Sequence, residues 1–235
     1  MKPWDDPRIQ NGLRVQLANR RARIEAGEMP LGWKIGFGAP HAMEKLKISG
    51  PLIGFLMQKA LLPSPAVASL KGWQKPVAEP EIAVYFGQNL PPGSNRDDAG
   101  KAIVALGPAI ELADIDGPDN DVERILSGDI FQRHVVLGPG DPSRAGIRLD
   151  HLTGHVTRSG RTVDVPSNLE TNIGDITDLV RYVADFLGAF GEAVRPGDVL
   201  ITGSVTPPLL LDHDESDVHF ALDPIGGVSV RFTHL

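Results

Sequence analysis

Short runs of period-two hydrophobicity, more numerous than the helical stripes around them, constrain this chain more than any other feature. In residues 32–38, Trp33, Ile35 and Phe37 alternate with Lys34, Gly36 and Gly38, the pattern of a strand with one buried face. Lys34 therefore shares its face with two glycines. Further strands are expected at 81–86, 109–115, 199–201, 218–222 and 228–232, the last two joined by a turn containing Pro224, Gly226 and Gly227. Helical spacing is found at 7–25, where Ile9, Leu13, Leu17 and Ile24 form a stripe that Gly27 ends, and a helix is expected at 96–106. The clearest helix is 176–190: Ile176, Leu179, Val180, Val183, Phe186, Leu187 and Phe190 line one side, and Asp175 can cap the start. Because the strands outnumber the helices and do not alternate strictly with them, a doubly wound sheet is disfavoured. An α+β, β-rich mixed roll with flanking helices is expected. One catalytic domain over 1–235, with a helical amino-terminal segment to about residue 30, accommodates all of these elements.

Charge and cysteine content narrow the chemistry. The formal net charge is −7 and the Lys and Arg residues are scattered, which argues against a nucleic-acid groove or a basic membrane patch. The chain has no cysteine, so a thiol nucleophile, a thiolate metal site and a disulfide framework are all excluded. Any metal must be held by oxygen or imidazole. Residues 1–10 lack the apolar core of a signal peptide and no run approaches a membrane span, so a cytoplasmic protein is expected.

Glu79-Pro80-Glu81 places two carboxylates on one side of an extended chain, with Pro80, Ile82, Val84 and Phe86 on the other. Paired carboxylates repel unless a cation or a shared proton compensates them, and hard divalent cations suit such pairs. On spacing alone, a solvated strand face is the commoner explanation. Glu111 is the only acidic residue in the apolar run 107–113, and a buried carboxylate must be paired, protonated or metal-bound. It is the natural third ligand, with Asp114 and Asp116 as nearby alternatives or as exposed strand-end residues. Thr202-Gly203-Ser204 ends an apolar strand with hydroxyls and a flexible glycine able to present donors to a carboxylate, although an ordinary turn has the same composition. The cluster Asp212-His213-Asp214-Glu215 is expected to be an acidic, solvated hairpin tip, and all seven histidines are expected to be structural or surface residues.

Five segments, Gly32-Trp-Lys-Ile-Gly36, Ile53-Gly54, Glu79-Pro-Glu-Ile-Ala83, Pro108-Ala-Ile-Glu111 and Gly197-Asp-Val-Leu-Ile-Thr-Gly-Ser204, occur in the order and at about the spacing of the fumarylacetoacetate hydrolase superfamily. The chain most resembles its 2-keto-4-pentenoate hydratase and 2-oxo-acid decarboxylase branch, over roughly residues 30–232. The resemblance implies that Glu79, Glu81 and Glu111 bind a divalent metal, Mg²⁺ or Mn²⁺, and that Lys34 is the catalytic lysine of the substrate pocket, with Thr202, Gly203 and Ser204 beside it. It implies a small-molecule 2-oxo acid substrate, a homo-oligomer, and hydration of a 2-hydroxy-2,4-dienoate through a metal-stabilised enolate. Decarboxylation of a 2-oxo diacid and hydrolysis of an acylpyruvate use the same enolate.

Two segments depart from the family pattern. An acid expected after Gly54 is replaced near Gln58 and Lys59, and the motif before the long helix reads Asn168-Leu-Glu-Thr-Asn-Ile-Gly174, with Glu170 inside it. These departures motivate a reading of another class, a catalytically impaired homologue that binds a 2-oxo acid or partners an active subunit.

Overall fold

The protein is described here by a computed structural model, which covers residues 2–146, 149 and 151–234. Its helices are α1 (Pro7–Glu25), α2 (Pro40–Leu46), α3 (Arg96–Ala102), α4 (Val122–Ser127), α5 (Glu170–Ile173) and α6 (Ile176–Ala189). Its strands are β1 (Pro30–Gly36), β2 (Leu52–Met57), β3 (Leu61–Leu62), β4 (Ala66–Ser69), β5 (Pro76–Phe86), β6 (Ile103–Asp114) and β7 (Gln132–Leu137). They continue with β8 (Thr153–Arg158), β9 (Arg161–Val163), β10 (Val199–Ser204), β11 (Leu209–Leu210), β12 (Asp217–Asp223) and β13 (Gly226–Thr233). No helix among the described residues is long and apolar enough to cross a membrane.

The strands form two sheets, one ordered β2-β1-β10-β5-β6-β7-β3 with β11 on β5, the other β4-β13-β12-β8-β9. The edge strands of the first sheet, β2 and β3, are joined only by the 3-10 turn Gln58–Ala60. Seven strands laid flat span roughly 29 Å at about 4.8 Å per gap, whereas the chain from Met57 to Leu61 reaches at most about 14 Å. The sheet must therefore coil until its edges approach, which makes it the roll expected from sequence. Gln58 and Lys59 are exposed on that closing turn, and Lys59 lies 4.0 Å from Glu28.

Coiling gives the sheet two unlike faces. On β5, Ala78, Ile82, Val84 and Phe86 join the main core together with Val180, Val183, Phe186 and Leu187 of α6. Asp175 caps α6 by accepting from the Asp178 N–H, as its position before the apolar stripe predicts. The other face carries Ala83 with Leu31, Leu56, Ala109, Val135, Val199 and Ile201 in a smaller cluster. Glu79 and Glu81 share that face with Ala83 by the period-two rule.

Three elements differ from the sequence expectation. The helix expected at 96–106 ends at Ala102, because Ile103 and the residues after it pair along β5, from Phe86↔Ile103 to Pro76↔Asp114. Strand β5 begins at Pro76 and runs through Pro80. A proline normally interrupts a central strand by removing a ladder donor; here the β10 register slips by one residue between Ile201 and Ser204, so the ladder is irregular beside Pro80. Asp212, His213 and Asp214 are exposed as expected, but Glu215 is buried. Arg158 and the Ser159 hydroxyl both donate to its carboxylate, a partner set at the end of distant β8 that local sequence does not show.

Candidate active site

The carboxylates converge because of register. Glu79 on β5 lies directly opposite Glu111 on β6, and Glu81 opposite Ala109 on one side and Ser204 on the other. Like charges directly opposite on one sheet face repel. Glu79, Glu81 and Glu111 each bring a carboxylate oxygen to within 4.8 Å of the others. Glu81 and Glu111 are 0% and 1% exposed, and one oxygen of each, Oε1 and Oε2 respectively, has no hydrogen-bond partner among the described residues. Unmatched buried carboxylate oxygens are costly, and a hard divalent cation is a chemical fit for the oxygens that the three glutamates bring together.

Burial, and then the neighbouring Glu111 charge, push the Glu79 carboxyl up to about 7 and Glu81 well above its ordinary range. Burial likewise raises Glu111, with Lys34 opposing. Lys34, three strands away on β1, donates to Glu111 and, at 3.2 Å, to the Ile130 carbonyl. Burial acts to lower its pKa, but the Glu111 charge and hydrogen bond outweigh it and hold the ammonium above its usual value. Among the described residues, three carboxylates thus share one cation.

The extra residue in β10 forms a bulge at Thr202-Gly203, a device common beside active sites. Gly203, at φ +88°, turns its N–H to the Glu81 carboxylate at 2.7 Å, and the Thr202 hydroxyl accepts from the Ile82 N–H at 3.3 Å. Thr202, Gly203 and Ser204 all line the cavity, yet the Gly203 N–H is engaged with Glu81 rather than turned to solvent. Asp114 accepts from the Gln74 and Lys75 N–H groups and Asp116 pairs with Arg133, so both are structural.

Above the carboxylates opens a cavity of about 590 Å³, with Glu79, Lys34 and Thr202–Ser204 in its lining. Phe37, Val77, Ile115, Phe131, Ile173 and Leu179 make its walls largely apolar. Two sets of lining residues carried no sequence signal. One is the loop after β1 with α2, including His41 and Lys45; the Lys45 ammonium is bonded to Asp119 at 2.9 Å. The other is the turn Asp129–Phe131, whose Ile130 and Phe131 reach the cavity. Asp129, Ile130 and Phe131 have φ of 55°, 53° and 62°. Three consecutive non-glycine residues in the left-handed region cost about 1–2 kcal/mol each, and nothing in their side-chain types announces it. Asn172 of α5 also lines the cavity, whereas Glu170 does not.

A coiled mixed sheet with three clustered carboxylates and a lysine beneath an apolar cavity defines a class of acidic, oxygen-ligand sites suited to a hard divalent cation. Comparison with known proteins specifies the family. Residues 35–232 match the fumarylacetoacetate (FAA) hydrolase C-terminal family, and the chain belongs to it. The chain is 26% identical, over 96% of its length and 86% of the relative's, to 2-hydroxyhexa-2,4-dienoate hydratase of Comamonas testosteroni. It is 23% identical, over 93% and 83%, to 4-oxalocrotonate decarboxylase of Pseudomonas putida. Among solved structures, 4-oxalocrotonate decarboxylase from Pseudomonas putida G7, complexed with magnesium and adipate, superposes with a TM-score of 0.87 at 22% identity, covering 96% of this chain and 86% of that one. Fumarylpyruvate hydrolase from Pseudomonas aeruginosa, in complex with Mn²⁺ and pyruvate, superposes at 0.66 and 16% identity, covering 88% and 90%.

Proposed function

We propose that this protein is a divalent-metal-dependent hydratase that adds water to a 2-hydroxy-2,4-dienoate, giving a 4-hydroxy-2-oxo acid. The observation that carries the reading is the convergence of Glu79, Glu81 and Glu111, with two unmatched carboxylate oxygens, beside Lys34 under one cavity. Similarity to the Comamonas hydratase over nearly the whole chain supports it, as do magnesium and manganese in the solved relatives. Glu79, Glu81 and Glu111 would hold the cation, Mg²⁺ or Mn²⁺. When bound, it supplies Lewis-acid stabilisation of negative charge on the substrate's 2-oxygen and carboxylate.

The chain's own residues supply the rest. The Gly203 N–H and the Thr202 hydroxyl fix the strand geometry that aims Glu81. Lys34 sits where it can hold the substrate anion and move a proton between the 2-oxygen and the carbon chain. In the net reaction, water oxygen bonds to C4, a proton is delivered to C3, and the dienol proton moves to C5. The apolar walls offer a surface for the substrate's distal end.

A second reading, decarboxylation of a 2-oxo diacid, draws on the decarboxylase relatives. The cavity favours hydration, because a diacid needs a cation for its second carboxylate. Of the two lysines that line the cavity, Lys34 is assigned to the substrate's first anionic group and Lys45 is paired with Asp119. A monoanion with an apolar tail fits these walls better. A cytoplasmic homo-oligomer is part of the same proposal, resting on the sequence resemblance.

The test is loss of the ultraviolet absorbance of 2-hydroxypenta-2,4-dienoate with Mg²⁺ or Mn²⁺, then with chelator, and product analysis for 4-hydroxy-2-oxopentanoate. Parallel measurement of CO₂ release from 4-oxalocrotonate separates the readings. Release of CO₂ without hydration of the dienoate would replace the first reading with the second, and absence of both would leave a 2-oxo-acid-binding homologue.

A further inference from the structure

The left-handed turn at residues 129–131 lies beside Lys34, and two glycines make room for it. A Cβ on Gly54, the register partner of Lys34 on β2, would lie 2.8 Å from Asp129 Oδ1 and 2.9 Å from Lys34 Cγ. A Cβ on Gly36, two residues along β1 on the lysine's own face, would lie 2.7 Å from Ile130 Cγ2. The turn is tied to β2 by the Phe55 N–H, which donates to Asp129 Oδ1 at 2.9 Å, and to the lysine by the Ile130 carbonyl, which accepts from Nζ at 3.2 Å. One three-residue unit thus binds the head of Lys34 and faces its stem across the space that Gly54 leaves open. Asp129 itself does not line the cavity.

We propose that Asp129 is a positioning residue: by locking the strained turn onto β2 it holds the Ile130 carbonyl where it aims the Lys34 ammonium, and Gly36 and Gly54 are glycine to admit that turn. This rests on the reading of Lys34 as the substrate-facing lysine. Strain maintained beside a site in this way is a recurrent device of pre-organisation. The charged groups that act on Asp129 are Lys34, Glu111 and Arg23; burial dominates and pushes its carboxyl up to about 8. Near pH 7 it is therefore a largely neutral acceptor, whose shape and hydrogen bond asparagine reproduces.

The experiment compares Asp129→Ala, Asp129→Asn and Gly36→Ala in two assays. The first is kcat and KM for dienoate hydration by the metal-loaded protein at pH 7. The second is the rate at which an amine-acylating reagent modifies Lys34 in metal-free protein, read by peptide mass spectrometry. Asp129→Ala is expected to lower kcat about a hundredfold, the scale of a misplaced catalytic group, with KM changed less than about threefold. It is also expected to speed Lys34 acylation about tenfold, as a freed buried amine does. Asp129→Asn should restore most of both. Gly36→Ala meets only the Ile130 side chain, so it tests the same turn in a variant expected to fold, and should show a weaker form of the alanine effect.

Wild-type kcat and wild-type Lys34 acylation in both Asp129→Ala and Gly36→Ala would overturn the proposal. Asp129→Asn as impaired as Asp129→Ala would also overturn it, because charge rather than position would then be the requirement. If the wild-type protein turns over no dienoate, the hydratase reading fails. The acylation rates still decide whether the turn positions Lys34.

Discussion

Two groups of buried glutamates in this molecule are chemically alike and satisfied very differently. Glu215 is 1% exposed, and its carboxylate is met by the Arg158 guanidinium and the Ser159 hydroxyl. Burial works to raise its pKa, but those two hydrogen bonds outweigh it and hold the carboxyl below its ordinary value. Glu81 and Glu111 are enclosed to a similar degree and Glu79 is half-buried; among the described residues the three share Lys34 as their one cation, and all are pushed upward. Burial is common to both groups, so burial does not mark a functional carboxylate. The ratio of cations and donors to carboxylates does, because a structural group is built to be satisfied by the chain and a binding group is built to be completed by something else.

The sharpest way to break this comparison is to remove a carboxylate from each group. Glu81→Ala is expected to reduce metal-dependent turnover by about a thousandfold or more, since several kcal/mol of charge stabilisation depend on the cation being held. Titration calorimetry should show Mg²⁺ or Mn²⁺ binding lost in the same variant, and intact metal affinity would refute the assignment of the site. Lys34→Met should lower kcat/KM by about 10²–10⁴-fold while metal binding persists, the range for loss of a proton-transferring or anion-holding group. Unchanged kinetics would make that lysine a purely structural counter-charge for Glu111.

On the other side, Arg158→Ala should leave turnover within about threefold of wild type yet lower unfolding stability by about 3 kcal/mol, the low end for breaking a buried pair, because Arg158 is partly exposed. Urea unfolding measures it. A folded but inactive Arg158→Ala protein would show that partner count does not sort the two groups.

The smallest expected effect is in pH. Glu79 is raised from 4.5 to about 7 in the folded chain, so the metal-free native state binds more protons than the unfolded state between those values. Its contribution to stability is therefore lost as pH rises through that window. Glu215 behaves oppositely: its depressed carboxyl adds stability above its unfolded pKa and loses it as pH falls through the folded value. The metal-free Tm should accordingly fall by a few degrees from pH 6 to pH 8, and added Mg²⁺ should raise Tm by more at pH 8 than at pH 6. A flat metal-free profile would mean that the three carboxylates do not strain the fold.

What could be read from the sequence was what is local. The amphipathic stripe and Asp175 cap of α6, the alternation of β1 around Lys34, and the same-side placement of Glu79 and Glu81 are consequences of periods 3.6 and 2, which neighbouring residues express directly. The excess of strands over alternating helices was enough to expect a roll. Tertiary structure decided everything that depends on register and on chain segments far apart. It set Glu79 opposite Glu111, carried β5 through Pro80, and converted Glu215 from a surface acid into a buried partner of Arg158. It also brought the strained turn of Asp129–Phe131 over Gly36 and Gly54 to hold Lys34. The reason is physical: periodicity says which way a side chain points, whereas the partner that waits there is chosen by sheet pairing and coiling, which no single segment encodes.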